Sequence, residues 1–198
     1  MRLLFFLSMA CCCYACGPKK EPIVCFHTSM GDIRLTLFNS TPAHRDQFVR
    51  FCKQLGADSL DCIQILRDNF IEFGVNNGAS DFPGATNPEI EAPLRAGALV
   101  ACSPARTTKP GASFFIVQGR PQTDATLDAL VQKEKMQFSP KIRAVYKIYG
   151  GIPQLHGRYT VFGQVISGME VVDRIAALPR DAADKPLKKV SLRLEITK

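Results

Sequence analysis

Gly111-Ala112-Ser113-Phe114-Phe115-Ile116-Val117-Gln118-Gly119 and, further down the chain, Leu155-His156-Gly157-Arg158-Tyr159-Thr160-Val161-Phe162-Gly163 are the two stretches on which the fold turns. Each contains a short apolar and β-branched run that reads as a strand, Ser113 to Gln118 and Thr160 to Val165. Outward from these, Ile23 to Thr28 and Ile33 to Phe38 flank Ser29-Met30-Gly31-Asp32, which reads as a hairpin turn. In the second of these runs Ile33, Leu35 and Leu37 alternate with Arg34, Thr36 and Phe38, so one face is expected to meet a core. Further strands are expected at Cys62 to Leu66, Phe70 to Phe73, Ala98 to Ala101 and Val190 to Ile196, which makes eight.

Helices punctuate the series near both ends. Thr41 as N-cap and Pro42 at the first helical position open one, Phe48, Phe51, Cys52 and Leu55 give it an apolar face, and Gly56 ends it. A second runs from Gly168 to Leu178 and stops at Pro179. Many short strands with a helix near each end predict a mainly β protein with a closed antiparallel barrel, because closure removes exposed strand edges. Residues 119–153 are the exception. Asp124 to Gln137, with Leu127, Leu130 and Val131, and a segment opened by Ser139-Pro140, with Ile142, Val145, Tyr146 and Tyr149 on one side and Gly150-Gly151 at its end, predict a helical hairpin inserted between two strands.

The N-terminus reads as an address. Met1-Arg2 followed by Leu3 to Ala10 has the layout of a signal peptide and is too short to span a bilayer permanently. It resembles a bacterial lipoprotein signal, in which a cysteine after small residues is lipidated. Cys16 after Ala15 is the expected site and Cys11 after Ala10 the alternative, since cleavage at Cys11 leaves Cys12, Cys13 and Cys16 as exposed thiols in an oxidising compartment. The expected organisation is therefore 1–16 signal and lipidated cysteine, 17–22 tether, and 23–198 one folded domain. That places the protein in a bacterial envelope, anchored to the inner or outer membrane through its lipid.

Charge and cysteine usage narrow the function classes. Arg2, Lys19 and Lys20 carry three of the formal +7, and downstream there is no basic run longer than Lys188-Lys189 and no interleaved aromatics, so nucleic acid is not an expected partner. No CxxC pair has a distant partner pair and His27, His44 and His156 lie far apart, so they read as surface or locally bonded imidazoles; no metal and no cofactor is expected. Cys25, Cys52 and Cys102 sit on apolar-patterned segments and read, with Cys62, as buried free thiols. Ser113 lies in no GxSxG elbow, which sets a serine hydrolase aside.

From Ile23 to Lys198 the chain resembles the cyclophilin family of peptidyl-prolyl isomerases. The resemblance rests on Thr28-Ser29-Met30-Gly31-Asp32-Ile33, the Thr41-Pro42 helix with Phe48, Phe114-Phe115-Ile116, Tyr159-Thr160-Val161-Phe162-Gly163 and Gly168-Met169-Glu170-Val171-Val172-Asp173, in order and at compatible spacings. It implies an eight-stranded barrel capped by two helices, with a helical insertion similar to that of some bacterial envelope cyclophilins. The implied partners are proline-containing polypeptides, met by a monomer.

The resemblance also assigns a site. Phe115 and Leu155 match the floor of the proline pocket, Phe70 takes the place of a pocket methionine, and Tyr159 that of a pocket histidine. The family's catalytic arginine falls on Gln64, an aromatic-histidine pair on Cys62-Ile63, a second pocket phenylalanine on Asn69, and a tryptophan on Gln154. The two glutamines that order the substrate backbone become Glu72 and Ser113. An odd offset from Gln64 places Arg67 on the opposite face of the strand, and Arg106 reads as a solvated loop residue, the alternative being a side chain that swings toward the groove. Gln64 is thus the expected catalytic donor, a neutral one, and turnover is expected to be reduced.

Overall fold

The structure, a computed structural model, describes residues 20–74, 95–101, 113–157 and 159–197. The signal and lipidation residues Cys11 and Cys16, the first half of the tether, Cys102 and Arg106 lie outside them. Eight strands are present: β1 Ile23–Thr28, β2 Gly31–Leu37, β3 Leu60–Leu66, β4 Phe70–Gly74, β5 Ala98–Ala101, β6 Ser113–Val117, β7 Val161–Ser167 and β8 Ser191–Thr197. They close into an antiparallel barrel in the order β1-β2-β7-β5-β6-β4-β3-β8. The helices are α1 Pro42–Leu55, α2 Asp124–Glu134, α3 Pro140–Tyr149 and α4 Met169–Ala176.

Closure sorts each strand's residues by parity. Val24 and Phe26, then Ile33, Leu35 and Leu37, point inward and are fully buried, as their alternation predicts. Helix α1 plugs the interior through Phe48, whose ring centroid lies 5.1 Å from Phe114, 5.3 Å from Phe162 and 6.2 Å from both Phe26 and Phe51. Helix α4 adds Val171, Val172, Ile175 and Ala176 to the same core.

Two local expectations are corrected. Thr41 stands at the N-cap as expected, but its hydroxyl makes no capping bond; it turns back and donates to the Phe38 carbonyl at 3.4 Å. Pro42, with its fixed φ and no N–H to satisfy, starts the helix. Tyr149 does not share the buried side of α3 with Tyr146. It is 52% exposed, on the last turn of the helix, where the Arg95 guanidinium lies over its ring at 5.1 Å, so a cation rather than a core covers the face.

The insertion is a helical hairpin as predicted. Thr123 and Ser139 cap α2 and α3 by accepting from the Thr126 and Ile142 amides. Arg143 reaches Asp128 at 2.6 Å and Lys147 reaches Asp124 at 2.6 Å across the pair. At its root Arg120 bridges to Gly151. Gly119, at φ +62, permits this crossing because a Cβ there would collide with the Gly151 backbone.

Cys25, Cys52 and Cys62 are buried free thiols. Burial pushes the Cys52 and Cys62 thiols up to about 12. At pH 8 the thiolate fraction of each is then on the order of 10⁻⁴, so iodoacetamide should leave both unmodified in the native protein and alkylate both in denaturant, read by intact mass. Phe48→Ala removes the shared contact of four rings and should cost about 3–5 kcal/mol in urea unfolding, with the helix content of the surviving folded state otherwise retained.

Candidate active-site groove

The outward parity of β3 to β7 builds the groove. Register aligns Gln64 with Glu72, Glu72 with Phe115, Phe115 with Val100 and Val100 with Val161, one row running across five strands. A second row holds Leu66, Phe70 and Val117. A bulge in β3 between Cys62 and Gln64 resets parity, so that Cys62 joins the interior with Ile65 while Gln64 faces out, half-exposed.

These outward residues form an apolar cluster separate from the interior: Phe70, Ala98, Val100, Phe115, Val117, Ile152 and Val161, with Phe38, Leu66, Leu155 and Tyr159 at its partly exposed margin. Phe70 and Phe115 lie 4.7 Å apart between centroids, and Tyr159 meets Phe115 edge-on at 5.8 Å. Phe70, Phe115, Leu155 and Tyr159 are thus brought together as the sequence predicts. Val100, Val161 and Val117 were not singled out in advance. Val117 follows Phe115 by two and could have been found from parity, whereas Val100 and Val161 arrive through pairing with distant strands.

Polar groups occupy one flank. Glu72 is 9% exposed, and Ser113, 4% exposed, keeps a buried hydroxyl with no hydrogen-bond partner in the structure. Gln64 stands directly opposite Glu72 across the β3–β4 pair, so the groove carries a neutral amide beside a carboxylate where an isomerase of this type would place a cation. Asn69 donates its side-chain amide to the Arg67 carbonyl at 3.3 Å and adds no ring to the floor.

Arg67 is not available to the groove, although for a different reason from the strand offset. It sits in the turn after β3 and its guanidinium donates to the carbonyls of Ala176 and Ala177, at 3.4 and 3.1 Å. These are the carbonyls exposed at the C-terminus of α4, where a cation is favoured by the helix dipole. Gln154 and Leu155 lie on a 3-10 turn, Pro153–Leu155. The residue after it, His156, is buried with its Nδ1 at 3.1 Å from the Tyr146 hydroxyl and Phe138 packed against both rings. The insertion therefore holds the Leu155 wall in place, a link with no local sequence signal.

A cluster of metal-ligating side chains, Cys25, His27 and Asp32, lies on the far side of the barrel.

The family model for cyclophilin type peptidyl-prolyl cis-trans isomerases matches residues 23–195. A protein of Staphylococcus haemolyticus (strain JCSC1435), named by inference a peptidyl-prolyl cis-trans isomerase, is 30% identical over 179 residues, covering 86% of this chain and 88% of its own. A similarly named protein of Staphylococcus aureus (strain USA300) is 32% identical over 182 residues, covering 87% and 89%. Among solved structures, a Cryptosporidium parvum cyclophilin type peptidyl-prolyl cis-trans isomerase superposes with a TM-score of 0.63 over 90% of this chain and 98% of its own, at 20% identity. The same Cryptosporidium protein crystallised in the presence of the dipeptide Ala-Pro gives 0.62 over 89% and 99%. With the barrel, the apolar trough and the family match in agreement, this chain belongs to the cyclophilin-type peptidyl-prolyl cis-trans isomerases.

Proposed function

We propose that this protein is a lipid-anchored cyclophilin of the bacterial envelope that receives proline-containing segments of extracytoplasmic polypeptides between Phe70, Phe115, Leu155 and Tyr159 and isomerises them slowly. The observation that carries the reading is the position of Gln64: on the outward row with Glu72 and Phe115, while the guanidinium of Arg67 is committed to α4.

Rotation about an X-Pro bond faces a barrier of ~18–20 kcal/mol because the amide is conjugated. A donor aimed at the imide nitrogen lowers the barrier by drawing its lone pair out of conjugation, and the effect grows as the bond twists. The Gln64 amide is neutral, and hydrogen bonds with a charged partner are roughly twice as strong. Loss of one such preorganised donor typically costs about 10²–10³-fold in rate. The neighbouring Glu72 carboxylate opposes what charge remains, since it disfavours electron withdrawal from the imide.

An anchor at Cys16, with 17–22 as tether, fits the apolar run and cysteine layout of the first sixteen residues. Several acyl chains on one cysteine give stable attachment, each buried methylene adding ~0.8 kcal/mol. The alternative reading, a groove that binds proline-containing segments or partner proteins without turnover, rests on the same neutral residue at position 64.

Exchange NMR or a protease-coupled assay on an X-Pro peptide separates the two. The slow isomerase predicts turnover above the uncatalysed rate that falls about tenfold in Gln64→Ala with little change in peptide affinity; bound peptide with no turnover establishes the binding module instead. Gln64→Arg should raise kcat/KM, and the double change Gln64→Arg, Glu72→Gln should raise it further, because an arginine there would otherwise pair with Glu72 across the strands. A double variant no faster than the native protein overturns the assignment of Gln64. Intact mass of the membrane-extracted protein should show an acylated Cys16 as first residue; acylation at Cys11 instead moves the anchor there, and no acylated cysteine at either position excludes it.

A further inference from the structure

Strand β1 carries a second polar constellation on its outward face, across the barrel from Phe115. Cys25 and His27 are two residues apart and share that face; β2 brings Asp32 opposite His27 and Arg34 opposite Cys25, and β8 brings Glu195 opposite Cys25 and Arg193 opposite His27. Cys25 is 3% exposed yet does not belong to the interior cluster that holds Val24 and Phe26. It is covered by neighbouring side chains, at the surface of the barrel wall.

The donor atoms converge. His27 Nδ1 lies 3.8 Å from Cys25 Sγ and 3.0 Å from Asp32 Oδ1, and the three atoms all fall within 4.8 Å of one another. Zinc bonds of 2.0–2.3 Å in tetrahedral geometry place neighbouring nitrogen, oxygen and sulfur ligands roughly 3.3–3.6 Å apart, which the two measured separations bracket. The other imidazole nitrogen is equally committed: His27 Nε2 donates to Glu195 Oε2 at 2.9 Å. A carboxylate behind a ligating histidine fixes the ring and its tautomer and raises the basicity of the nitrogen facing the metal. The ring nitrogen that faces away from Glu195 therefore points at Asp32 Oδ1.

We propose that Cys25, His27 Nδ1 and Asp32 form a binding site for one divalent zinc-like cation, with Glu195 orienting His27 and water completing the coordination. The thiol, the imidazole and the carboxylate are the ligand chemistry such an ion prefers over calcium or magnesium. Ligation takes the sulfur as thiolate and Nδ1 as a bare lone pair, with the displaced protons passing to solvent. Arg34 and Arg193 flank the site and offset the charge of the thiolate and two carboxylates. His27 and Asp32 are 28% and 58% exposed in their side chains, so the ion can enter from solvent. The site lies away from the groove and does not depend on the isomerase reading.

The test is titration of the reduced full-length chain with cobalt(II), followed by displacement with zinc. The expected result is one equivalent whose sulfur-to-cobalt charge-transfer band is lost in both Cys25→Ser and His27→Ala, with Asp32→Asn and Glu195→Gln binding about 10–100-fold more weakly. Zinc should raise the melting temperature of the native protein and not that of His27→Ala. Asp32 and Glu195 are surface residues, so their variants keep the test decisive even where Cys25→Ser perturbs folding. Spectra and affinity identical in the native chain and the four variants would place any bound metal on the N-terminal cysteines and overturn the proposal, as would the absence of a thiolate band.

Discussion

Closure of the barrel at the β3–β8 seam is the constraint on which the other features rest. The seam is short: Leu60 pairs with Leu192 and Asp61 with Ser191, extended by the Cys62 amide donating to the Val190 carbonyl at 2.8 Å and the Ser191 hydroxyl donating to Asp61 at 3.1 Å. Once the ring is closed, no strand can slip by one residue without turning its buried side chains to water. One parity then fills the interior around Phe48 and the other is left outside, where on β3 to β7 it is apolar enough to form a groove and on β1, β2 and β8 polar enough to converge on His27. Register also shifts at Arg34/Leu35 and at Leu99/Val100, and the bulge in β3 is the one that decides whether Gln64 faces the groove.

Two of the described arginines near the groove are held in structural contacts. Arg67 closes the C-terminal end of α4, and Arg120 pairs with Asp68, the residue at φ +67 in the turn that precedes Phe70. Gln118 fastens the same turn, accepting from the Asp68 amide at 2.8 Å and donating to Asp173 at 2.9 Å. The turn that delivers Phe70 to the groove is thus held from three sides, which keeps the apolar floor ordered independently of the polar flank.

The helical insertion contributes to the groove through packing rather than chemistry. Its interior is a small aromatic nucleus, Phe138, Tyr146 and His156, whose one buried polar pair satisfies both partners. Because His156 directly follows Leu155, the packing of α3 meets the groove wall with no intervening loop.

Much of the fold was legible in the order of residues, because alternation along a strand and capping at a helix end are local: the alternating Ile33, Leu35 and Leu37, Pro42 opening α1, and Ser139-Pro140 and Gly150 bounding α3 all stand where their patterns place them. The family motifs likewise mark Phe70, Phe115, Leu155 and Tyr159 as one group. What the chain's order could not show is anything set by register between distant strands. The juxtaposition of Gln64 with Glu72, the walls supplied by Val100 and Val161, the capture of Arg67 by α4, and the meeting of His27 with Glu195, 168 residues away, follow only when the ring closes. Local sequence determined which residues could occupy each face; tertiary pairing decided which faces meet, because hydrogen-bonded register is a property of two strands and is encoded in neither alone.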